Sequence, residues 1–68
     1  MTPAEIAQTK RMLAVARRDY VHYAMRVRTA EQRNAQPPTE ARMGLAENEK
    51  LITRLENDLM RAGVEVES

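Results

Sequence analysis

Pro37 and Pro38 are adjacent, and the thirty-three residues before Pro37 hold neither proline nor glycine. Proline lacks the N–H that a helix interior needs, and it pushes the residue before it out of the helical region. The pair therefore divides this 68-residue chain into two stretches, each long enough for a helix.

The first stretch opens with Thr2-Pro3-Ala4-Glu5. Thr2 can cap the orphan amides, Glu5 can reach back as the other half of a capping box, and proline suits the first helical position. Gln36 precedes a proline, so the helix is expected from about residue 3 to 34, roughly 48 Å at 1.5 Å per residue. A turn over 35–39 follows. Thr39 is the expected second N-cap, with Glu40 in the first turn, Arg61 near the negative end and Gly63 as a left-handed cap. That gives a second helix over about 40–62, roughly 35 Å long. Residues 63–68 form an acidic tail too short to trust as a strand.

Both stretches repeat apolar residues every seven. Ile6, Leu13, Tyr20 and Val27 form one row, with Thr9, Ala16, Tyr23 and Ala30 beside it. Leu45, Ile52 and Leu59 form the other, with Ala41, Asn48, Leu55 and Ala62. These are coiled-coil seams broken only by Thr9 and Asn48. An antiparallel register that sets Tyr23 on Ile52 and Ala16 on Leu59 also brings Arg17 to Glu56 and Glu31 to Arg42. Its other flank is less tidy, since Asp19 meets Asp58. The expected fold is thus all-α: one antiparallel, coiled-coil-like two-helix hairpin over 1–68, completed to a four-helix bundle by dimerisation or by a partner. In this register Pro3 to Met12 overhang the second helix, and either the tail or a second copy would cover Ile6.

Composition narrows what such a hairpin can do. A chain this short usually needs a disulfide, a metal or a second copy to stabilise its core. With no cysteine and a single histidine, His22, neither a disulfide nor a thiolate or histidine metal site is expected, which leaves association. No cofactor is expected. The polar start carries no secretory signal, and the longest apolar run, Met12 to Ala16, is far short of the ~20 residues that span a bilayer. A cytoplasmic location without membrane contact is expected.

Candidate functional residues follow from what the seam leaves over. Ile6 sits on the overhang, and Met12, Val15, Val21, Met25, Leu51 and Met60 fall outside the seam, as does Met43. Methionine-rich surfaces adapt readily to partners. Lys10, Arg11, Arg17 and Arg18 form a basic shoulder on a first helix that carries seven basic and three acidic residues. Such a shoulder could meet nucleic-acid phosphates or an acidic protein. Against nucleic acid stand a net charge of only +1 and tyrosines committed to the seam. Asn48 could fix register or oligomeric state, and Gly44 could allow close backbone approach by a partner. Arg17, Glu56, Glu31, Arg42 and Asn48 are the register residues.

No nucleophile–base pair, glycine-rich phosphate loop or buried acid pair is visible, and two packed helices offer little concave volume for a small-molecule substrate. The reading is a non-enzymatic protein–protein interaction module acting by helix-face docking, as oligomer subunit, adaptor or inhibitor, with self-association expected. A nucleic-acid-associated module and a structural accessory subunit are the alternatives.

Overall fold

A computed structural model describes residues 1–66. It contains two helices, α1 (Pro3–Gln32) and α2 (Thr39–Arg61), packed against each other as a hairpin. Glu67 and Ser68, the end of the expected tail, lie outside the described residues.

The start of α1 is the expected capping box. The Glu5 amide donates to Thr2 Oγ1 at 3.2 Å, and the Thr2 amide donates to Glu5 Oε1 at 2.9 Å. The backbone bond from Thr2, then the hydroxyl bond to the same residue, holds the Glu5 carboxyl below the ordinary glutamate pKa, because both favour the ionised form.

The end of α1 comes two residues earlier than the expected 34. Asn34 adopts φ 54° and is the left-handed residue beyond the helix. Its amide donates to the Glu31 carbonyl at 3.0 Å, and the Ala35 amide reaches back to Ala30 at 2.9 Å. Asparagine tolerates this conformation better than other residues with a β-carbon. The same motif closes α2, where Gly63 (φ 75°) donates to Met60 and Val64 to Leu59, at 3.0 and 2.9 Å. Between them, the N-cap of α2 is Pro38 rather than Thr39, without a side-chain cap. Pro38 takes the extended backbone of a cap (φ −57°, ψ 136°), so Thr39 is already the first helical residue.

Among the described residues the buried side chains are few: Leu13, Leu55 and Leu59, with Ala16, Ala41 and Thr9. Thr9 is a tolerable seam polar group because its hydroxyl donates to the Glu5 carbonyl at 2.8 Å. Asn48, half-buried, likewise turns to its own helix and donates Nδ2 to the Gly44 carbonyl at 3.0 Å.

The stagger of the helices departs from the expected register at the closed end. Tyr23, expected level with Ile52, lies on Gly44; three of its ring atoms fall within 2.7 Å of where a Gly44 β-carbon would be. A glycine is the one residue of that face that admits a ring so close, so it sets the local alignment. Gly44 thus serves the hairpin's own packing. At the open end there is no bare overhang. Ile6 packs against the leucine cluster together with Val64 and Val66, and Met1 shares a hollow with Asp58, Arg61 and Ala62.

Candidate functional site

Where the hairpin turns its apolar residues decides which of them can meet a partner. Ile6 and Leu51, expected as interface residues, are half-buried against Leu13, Leu55 and Leu59. Ile6 shares that cluster with Val64 and Val66, which follow the left-handed Gly63. Leu51 is pulled in by the stagger, although part of its side chain still lines a surface groove.

Met12, Val15, Val21, Met25 and Met60 are exposed, as are Met43 and Met1. They do not form one patch. Met12 and Val15 line an open groove between the helices with Ala16, Asn48 and Leu51, bordered by Arg11 and Asp19. Val21 stands six residues from Val15, about 120° round the helix, and Met60 stands nine from Leu51, about 180° round its own. Met25 lines a separate hollow at the closed end beside His22, Arg26 and Arg33.

The basic shoulder is split rather than continuous. Arg17 donates Nη2 to Glu56 Oε2 at 2.8 Å across the helices. Arg17 and Lys10 line a hollow whose far wall is Glu65 and Val66 of the tail. Arg11 faces the opposite flank, at the groove, and Arg18 points outward with its Nε 4.0 Å from Asp19 Oδ1. Residues 10 and 17 share one stripe and residues 11 and 18 another, about 100° apart.

Of the register residues, Arg17 and Glu56 meet and Glu31 and Arg42 do not: both are exposed, with no ion pair between them within 4.0 Å. A pair in water gains only about 0–1 kcal/mol, too little to hold two long side chains together where backbone packing does not already align them. Asp19 and Asp58 do not meet either. Asp19 lies at the groove and Asp58 beside Met1.

The groove was the part that heptad counting missed, whereas the returning tail was one of the two covers expected for Ile6. The tail had a legible signal in Gly63 followed by two valines two apart, which can put both on one side of an extended segment. Among the described residues, no group of three or more histidines, cysteines or carboxylates is placed to hold a metal, and no helix is long and apolar enough to cross a membrane. Comparison with protein-family models, curated proteins and solved structures finds no match to the chain.

Proposed function

We propose that the protein is a non-enzymatic interaction module that docks a helix face onto another protein, completing a larger helical assembly such as a four-helix bundle. One observation carries this reading: among the described residues three large apolar side chains are buried while seven are exposed, the others being half-buried. Single exposed apolar residues are ordinary. Their outnumbering the buried leucines in a chain this small is not, because Leu13, Leu55 and Leu59 contribute only about 1.5–3 kcal/mol each and the residues packed round them, Ile6, Leu51, Ile52, Val64 and Val66, are only half-buried. Docking of Met12, Val15 and the exposed part of Leu51 would enlarge that core.

The second reading, nucleic-acid association, draws support from Arg26 and Arg33 around the closed-end hollow. The pairing of Arg17 with Glu56 and the place of Glu65 opposite Lys10 weigh against it. It requires binding of duplex or single strands that weakens steeply with salt, and no binding at low salt would remove it.

Sedimentation at several concentrations, with helicity and melting followed in parallel, tests the docking reading. Association in the micromolar range, or a monomer that melts without cooperativity, is expected. A monomer that is fully helical and unfolds cooperatively would overturn it.

A further inference from the structure

Four hollows of the surface set basic against acidic side chains: Lys10 and Arg17 with Glu65, Arg11 with Asp19, Lys50 with Glu49, and Arg61 with Asp58. The hollow at the closed end departs from this pattern. Arg26 and Arg33 line it with His22 and Thr29, and none of its nine lining residues is acidic. Both arginines are exposed, and neither has a carboxylate within 4.0 Å among the described residues. Nor is either needed to close α1, whose last carbonyls accept from the backbone amides of Arg33, Asn34 and Ala35. Positive charge is gathered here and left unanswered.

We infer that this hollow receives an acidic helix of another protein, with carboxylates seven residues apart along one of its faces. The inference uses none of Met12, Val15 and Leu51, so it goes beyond the docking reading and either can fail alone. His22, Arg26, Thr29 and Arg33 follow one another at intervals of four, three and four residues, and so form one stripe of α1. Arg26 and Arg33 are two turns apart, about 10.5 Å along the axis. A helix lying alongside has the same pitch, so acids seven apart on it meet both arginines at once. An extended strand presents one face about every 6.7 Å and misses that interval. Met25 and Pro38 add apolar surface to the hollow, which suits a protein side chain and gives nothing to a phosphate. Nucleic-acid bases find no open aromatic ring to stack on, since both tyrosines are half-buried and the chain has no Trp or Phe. The basic area is also bounded: Glu31 lies two residues before Arg33 and Glu40 two after Pro38. A short acidic stripe fits it better than a long polyanion.

The test is an NMR titration of the isotope-labelled full chain at physiological salt. The probe is a capped, alanine-rich helical peptide whose glutamates recur every seven residues, with a leucine between them. Saturable shifts should gather on the amides around Arg26, Arg33 and the turn. A chain carrying R26E and R33E should bind at least about ten-fold more weakly, and should instead take up the same peptide with lysines in place of the glutamates. If the reversed chain loses helicity, the neutral pair R26Q and R33Q must show the same weakening. Equal shifts along Arg11, Arg18 and Arg28 would reveal undirected charge attraction and overturn the proposal. So would equal binding of an isomeric peptide with its glutamates on opposite faces, or no binding at all. A DNA duplex held more tightly at the hollow would overturn it too, and would assign these arginines to nucleic acid. None of these outcomes touches the docking reading.

Discussion

The hydroxyl end of the Tyr23 ring stands where a β-carbon on Gly44 would have to go, with Cζ 2.5 Å and both Cε atoms 2.7 Å from that position. Helix propensity alone favours alanine over glycine by about 1 kcal/mol. Overpacking opposes it by about 1–3 kcal/mol. Gly44→Ala should therefore destabilise the hairpin, whereas the same change made on Tyr23→Ala should stabilise it by about 1 kcal/mol. Chemical denaturation of the four proteins checks this, and equal effects in both backgrounds would show that the ring does not rest there.

Arg17 and Glu56 are joined at 2.8 Å with side chains 36% and 34% exposed, so solvent screens the pair substantially. Reversing either charge should cost from a few tenths to about 1 kcal/mol, and exchanging the two should restore most of it. The cost of single reversal should shrink in high salt. Denaturation midpoints at low and high salt provide the measurement.

Asn34 and Gly63 both hold positive φ, and nothing lies within 4 Å of a β-carbon built on Gly63. Backbone strain alone should make Gly63→Ala destabilising, by about 1 kcal/mol. Asn34→Gly should be neutral or stabilising, while Asn34→Ala should destabilise. An Asn34→Ala protein as stable as Asn34→Gly would refute the left-handed cap.

Glu5 has a depressed folded-state pKa, so its share of stability is present above the ordinary glutamate value and is lost as pH falls through the lower, folded one. Carboxyl titration followed by NMR should show the Glu5 midpoint rising when the chain is unfolded in urea. Amides in the first turn of α1 should lose protection over the same acid range. Identical midpoints in the two states would mean that the capping box does not form.

These residues also show what the amino-acid order conveys and where it falls short. Helix limits are local, and Thr2, Pro3, Glu5, Pro37 and Gly63 mark them through chemistry that acts within a few residues. Asn34 belongs with them once its tolerance of the left-handed region is weighed. Stagger is different, because heptad spacing fixes which side of each helix faces inward without fixing how far one has slid along the other. Seam alanines at 16, 30 and 41 offer no large knob to prevent sliding. The alignment falls instead to a single knob and hole, Tyr23 and Gly44, which a count of apolar residues cannot see. The candidate face shared that fate. Met12 and Val15 were legible as surplus apolar groups, but the inward turn of Ile6 and Leu51 depends on the stagger and on the returning tail.

The placement of the leucines has a kinetic consequence. Leu13 and Leu55 meet far from the bend, with forty-one residues of chain between them. Closing a loop that long costs about 1.7 kcal/mol more entropy than closing the six-residue connection at 33–38. Contacts nearer the bend, Tyr23 on Gly44 and the buried Ala41, close the shorter and cheaper loop, so closure should start there. The leucines at the mouth then act as the clasp on arms already drawn together.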